Sequence, residues 1–201
     1  MIVSGTILYL AMTGMRVYVN PSSMLRDMLG RVVLQPDPAM LERYAPRYRF
    51  MLENMAFFEG RSIPPETLVE VATTWCTLRN CEMVVGPDVL GDHRATMRLH
   101  TVYADLAPTW LLEKTLGVVQ ERRLSRIERA LKEIRDLGYE MLGIPSDNTA
   151  AMHHIATARK HYRYIHVLGC QQGCLARILR TRPDSVDVYV DPGVAHGAPP
   201  A

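Results

Sequence analysis

The chain has 201 residues, with 23 Lys and Arg against 21 Asp and Glu and a net charge of +2 at pH 7. That length holds one good core and would cramp two, and the balanced charge argues against both a strongly basic nucleic-acid clamp and an acidic tail. No run approaches the roughly 18 apolar residues of a membrane span, so a soluble, cytoplasmic protein is expected.

The opening Met1–Met12 is apolar, lacks a basic flank and breaks at Thr13-Gly14. It reads as a first strand, Thr6–Leu10, rather than a leader peptide. Met15–Asn20 alternates and is β-branched, a second strand, and Pro21-Ser22-Ser23 ends it while offering a cap for a helix through Leu29. Pro36, Pro38 and Pro46 punctuate Arg31–Arg47 and leave at most a short helix around Ala39–Tyr44. Tyr48–Met55 is the next strand, ending in Glu53-Asn54. Pro64-Pro65-Glu66 then opens a helix with Leu68, Val71, Ala72 and Trp75 on its buried stripe.

Met83–Val85 is a buried strand too short for a helix. Pro87 cannot donate to a sheet ladder, so pairing ends near Gly86 and leaves Asp88 on the rim. Asp92 reads as the N-cap of the helix that follows. Val118–Leu137 has the clearest helical period, with Leu124, Ile127, Leu131, Ile134 and Leu137 on one face, and Gly138 closes it. Tyr139–Ile144 is a strand ending at Pro145-Ser146-Asp147-Asn148, and a helix should span Thr149–His161. Tyr164–Gly169 is the sixth strand, Leu175–Arg180 a short helix and Val186–Val190 a seventh strand, followed by an irregular tail.

Strands alternating with helices imply a mainly parallel sheet. The expectation is an α/β protein, a compact and irregular or incomplete (β/α)8 barrel over residues 1–191 with a tail at 192–201. An open doubly wound sheet is the alternative. No glycine-rich dinucleotide or phosphate-loop motif stands at any strand end. In a barrel the C-terminal strand ends share one mouth. Glu53-Asn54, Asp88, Ser146-Asp147, Gly169 with Gln171-Gln172, and Asp187 or Asp191 would all project there.

Three segments in this order, F-M-L-E-N-M-A-F-F-E-G at Phe50–Gly60, G-P-D-V-L-G-D at Gly86–Asp92, and I-H-V-L-G at Ile165–Gly169 followed by S-V-D at Ser185–Asp187, resemble the tRNA-guanine transglycosylase superfamily. The similarity is greatest to its small, zinc-domain-free branch of phages and DNA-deazaguanine systems. The resemblance implies a barrel enzyme that replaces guanine in DNA or tRNA with a 7-deazaguanine through a covalent aspartyl intermediate, using no cofactor and no metal. Glu53 matches the residue of proton transfer, Asp88 the residue that recognises the base, and Asp187 the nucleophile. Asn54, Ser146 and Gly169 would line the base site. Glu53 stands where the family has aspartate, Met55 where it has glycine, and the family's zinc-binding cysteines are absent.

Base exchange needs a nucleophile at the sugar carbon and an acid for the leaving base, the two-carboxylate logic of retaining glycoside hydrolysis. From Ala151 to Arg182 the charged residues are Arg159, Lys160, Arg163, Arg177, Arg180 and Arg182, without a carboxylate. The first three are candidate contacts to a nucleic acid, and a pair of solvated helix faces is their plainer reading. A homodimer is compatible with all of this. Each site residue also has a plainer role: Asp88 satisfying loop amides, Glu53-Asn54 a buried pair, His166 a core histidine. His153, His154 and His161 with Cys170 and Cys174 fit no strong zinc spacing. Cys76, Cys81, Cys170 and Cys174 are expected to be reduced thiols. The competing function is a barrel that binds nucleic acid or a deazapurine without turnover.

Overall fold

The computed structural model describes residues 18–23, 26–77, 79–162, 164–169 and 188–190. Its elements alternate along the chain: α1 (Arg26–Leu29), β1 (Arg31–Leu34), α2 (Pro38–Tyr44), β2 (Arg49–Leu52), α3 (Ala56–Glu59), α4 (Pro65–Trp75) and β3 (Cys81–Val85). There follow α5 (His93–Leu106), α6 (Thr109–Leu112), β4 (Thr115–Val118), α7 (Leu124–Asp136), β5 (Met141–Pro145), α8 (Thr149–His153), α9 (Ile155–Ala158), β6 (Tyr164–Leu168) and β7 (Val188–Val190). Every neighbouring pair is parallel and the spatial order is the chain order. Strands β1 to β6 form an all-parallel sheet curled as half of a barrel, with β7 pairing beyond β6. Among the described strands the order never reverses, as it would in a doubly wound sheet.

Two apolar layers result. Val32, Leu34, Phe50, Leu52, Val84, Leu142 and Ile165 point outward and pack with Leu68 and Ala72 of α4 and Ile127, Leu131 and Ile134 of α7. The alternate strand residues Met51, Met83, Val85, Leu116, Val118 and Met141 meet Tyr18 on the inner face. The period-two alternation of each strand assigns its residues to these layers. The inner layer continues across the curl: the Tyr18 hydroxyl donates to Glu82 on β3 at 2.5 Å, and its ring lies 5.9 Å from that of His166 on β6.

Four expectations are corrected. Arg31–Leu34 is a strand, because R-V-V-L is β-branched and complete before Pro36 can interrupt its ladder. Thr115–Val118 is also a strand, fully buried, so the helix expected from Val118 begins only at Leu124. The helix expected over Thr149–His161 is interrupted at His154 and ends at Ala158. Cys76 and Cys81 are joined as a disulfide, not free thiols, since the turn from α4 into β3 brings their Cα atoms to 4.8 Å.

Of the two early strands, Tyr18–Asn20 alone is described, and Val19 bridges Val32 in parallel. Thr6–Leu10, Leu175–Arg180 and the start of Val186–Val190 lie outside the described residues. No helix among the described residues is long and apolar enough to cross a membrane.

Candidate functional site

Parallel pairing puts the C-terminal ends of β2, β3, β4 and β5 on one rim, and polar residues from all four meet there. Asn54, two residues past β2, donates through Nδ2 to the Gly86 carbonyl at 2.6 Å and to Asp88 Oδ1 at 2.7 Å. Its Oδ1 accepts from the Ala56 amide at 2.8 Å. Gln120, two residues past β4, donates to Asp88 Oδ2 at 2.5 Å and accepts from the Gly91 amide at 3.0 Å. Past β5, Asn148 donates to the carbonyls of Val119 and Glu121 at 3.1 and 3.0 Å, fixing the loop that carries Gln120. Asn54, Asp88, Gln120 and Asn148 are all buried.

Asp88 is therefore a carboxylate held between two amides, with no cation at ion-pair distance among the described residues. Burial pushes its pKa upward, while the bonds from Asn54 and Gln120 act in the opposite direction. A group enclosed this way is costly to ionise, and that cost marks it as a site candidate. Each carboxylate oxygen accepts one of these bonds and has a second lone-pair direction.

Glu53 is half-buried and follows Met51 by two residues, which places it on the inner face of the curl beside this cluster. Its backbone amide bonds the Leu34 carbonyl at 2.8 Å, carrying the β1–β2 ladder to the rim. Met55, which follows Asn54, stands at φ 72°, the single described non-glycine residue with positive φ. The loops after β2 and β3 are clasped by Leu90 N to Gly60 O at 3.0 Å and by the Arg61–Val89 bridge. Phe58 and Leu90 stand exposed on them.

The other expected residues divide into groups. Ser146 Oγ donates to the Gly169 carbonyl at 2.7 Å, so these two meet on the same rim between β5 and β6. Asp147 is exposed and paired with Arg122 at 2.7 Å. Asp92 caps α5, accepting from the Ala95 amide at 2.9 Å. Arg159 and Lys160 follow α9 and lead into β6, so they stand at the N-terminal end of the sheet, opposite Asp88. Asp187, Asp191, Arg163, Gln171 and Gln172 lie outside the described residues, as do Cys170 and Cys174. Among the described residues no group of three or more His, Cys, Asp or Glu could hold a metal ion.

Gln120 and Asn148 were not singled out by the sequence reading. The signal for Gln120 is the strand T-L-G-V, whose C-terminal end places it as β3 places Asp88; that for Asn148 is its place past β5 as the N-cap of α8. No protein-family model matches the chain, and neither does any curated protein.

Proposed function

We propose that the chain is a barrel-type base-exchange glycosyltransferase that replaces guanine in DNA or tRNA with a 7-deazaguanine. The observation that carries this reading is the buried Asn54–Asp88–Gln120 cluster at the C-terminal strand ends, together with the transglycosylase-like motifs at Phe50–Gly60 and Gly86–Asp92. A structural carboxylate at this depth would normally be neutralised by a cation, whereas Asp88 meets only amides. Its second lone pairs suit the adjacent N–H donors of a guanine-type base. In this reading a closed barrel would include the strand containing Val19, which bridges β1 in parallel at the edge of the curled sheet.

In this mechanism the target nucleotide is turned out of its stack into the mouth. The Asp187 carboxylate attacks the sugar C1′, the bond to guanine N9 breaks, and a glycosyl ester forms. Glu53 supplies the proton that the departing base requires. The incoming deazaguanine loses its N9 proton to the same carboxylate and displaces the ester, restoring Asp187. The protein would act in the cytoplasm with its polymer; the Cys76–Cys81 bond is unusual there, and both sulfurs are buried.

Mass spectrometry of nucleosides from DNA and tRNA of cells expressing the protein tests the reading. A deazaguanine nucleoside that disappears with Asp187→Ala supports it; unchanged nucleosides in both polymers reject exchange. Asp88→Asn should weaken calorimetric binding of guanine or a deazaguanine by about 1.5–3 kcal/mol, the range for a hydrogen bond to a charged group. Met55 favours a second reading, binding without turnover, because a side chain stands beside Asn54 where the family has glycine. Base binding sensitive to Asp88→Asn, without any modified nucleoside, would select it.

A further inference from the structure

Charge is divided between the two ends of the sheet. The mouth carries Asp37, Glu53, Glu59, Asp88 and Asp147; of its arginines, Arg122 and Arg123 are paired with Asp147 and Glu121, and Arg61 is exposed on the loop after β2. The opposite end, where β1, β2 and β3 begin, carries Arg31, Arg47, Arg49 and Arg79. Arg31 and Arg49 flank each other in the β1–β2 register and share one carboxylate, Glu82, at 2.9 and 3.2 Å. Asn80 donates to the carbonyls of Ala45 and Pro46 at 3.2 and 3.4 Å, which seats the Arg79 turn against the Arg47 turn. Arg47 and Arg79 are exposed and have no ion-pair partner among the described residues.

Attraction to helix C-termini accounts for part of this. Arg43 lies in the last turn of α2, where a cation is favoured. Arg47 and Arg79 lie beyond the caps Ala45 and Cys76, where that attraction has fallen away. What remains is a surface of guanidinium groups with fewer carboxylates than charges to balance. Beside it Arg26 lies 5.9 and 5.5 Å from the rings of Tyr44 and Tyr48.

We propose that this end of the molecule, around Arg31, Arg47, Arg49 and Arg79, binds the phosphate backbone of a nucleic acid. Charge complementarity identifies the partner. Arginine forks match two phosphate oxygens at once, and it is arginine, not lysine, that occupies all four positions. The binding is independent of base sequence and of any chemistry at the mouth.

The full chain is titrated by fluorescence anisotropy against a labelled DNA strand of about 20 nucleotides, between about 50 and 200 mM salt. Arg47→Glu/Arg79→Glu is expected to weaken binding at low salt at least about tenfold, and to reduce the slope of log affinity against log salt by about 1.5. Arg126→Glu/Lys132→Glu makes the same net charge change on α7 and is expected to leave both quantities near wild type. Equal losses in the two variants would show that net charge alone attracts DNA, and would overturn the proposal. So would binding to vesicles containing phosphatidylserine in the absence of DNA binding. Circular dichroism checks folding; should the reversal variant unfold, Arg47→Gln/Arg79→Gln takes its place, and unchanged DNA affinity in that variant is equally decisive. Nucleoside composition stands apart from all of these outcomes.

Discussion

A left-handed backbone costs a residue with a Cβ about 1–2 kcal/mol, and Met55 adopts it at φ 72°. The neighbouring Asn54 holds it there, bonding the Ala56 amide on one side and the Gly86 carbonyl across the rim. Glycine would adopt the same conformation freely but adds about 0.5–1 kcal/mol of unfolded-chain entropy. Met55→Gly is therefore expected to change urea-unfolding stability by no more than about 1 kcal/mol. The same substitution should raise affinity for guanine, because it removes a side chain next to Asn54. Weaker binding by calorimetry would show instead that the methionine forms part of the base contact.

Among the elements, β3 and β4 approach each other through a glycine. A Cβ on Gly86 would lie 2.5 Å from the Leu116 carbonyl oxygen, which itself accepts the Gly86 amide at 3.0 Å. Gly86→Ala must push these strands apart where Asn54 and Asp88 are anchored. A stability loss of about 1–3 kcal/mol in urea is expected, with a parallel loss of base binding. An unchanged midpoint would mean that the strands separate without cost. β3 was legible because its apolar run ends at Gly-Pro, and the cap at Asp92 because a polar residue precedes a long periodic segment. β1 was hidden by prolines at 36 and 38 that in fact lie just past its end. β4 was hidden because Val118 and Val119 adjoin the strong period of α7, which drew the helix boundary back over them. Gln120 disappeared with that strand, since a glutamine carries a site signal only once a strand is known to end beside it. Ser146 and Gly169 were legible as strand-end residues, but their mutual bond depends on pairing between β5 and β6 that no local pattern encodes.

Across the molecule, two histidines sit on opposite faces of the curled sheet. Burial drives His100, packed on the Tyr139 ring, and His166, on the inner face, down to about 3 from 6.5. In each case the folded state keeps the ring neutral while the unfolded chain takes up a proton below pH 6.5. Stability is thus fully present above that value and falls as pH drops towards about 3, by up to about 1.4 kcal/mol per pH unit for each histidine. Asp88 has the opposite sign: its raised pKa favours the folded state as pH falls from the raised value towards the ordinary 3.8. Urea midpoints between pH 7.5 and 5 lie above most of the carboxylate range and isolate the histidine contribution. They should decline in the wild type and decline less steeply in His100→Leu, where His166 still contributes. An equal decline in both would remove His100 from the account.

Tyr18 emerges from the ribosome long before the residues it needs. Its hydroxyl waits for Glu82 and its ring for His166. Strands β1 to β6 are under no such constraint, since each pairs with the one made just before it and can dock as it is synthesised. During translation the growing sheet consequently carries an unfilled inner face until β6 has been added. The earliest of these residues to be made is among the last to find its place, and a nascent chain halted before Tyr164 would expose Met51, Met83 and Val85 to whatever else binds apolar surface.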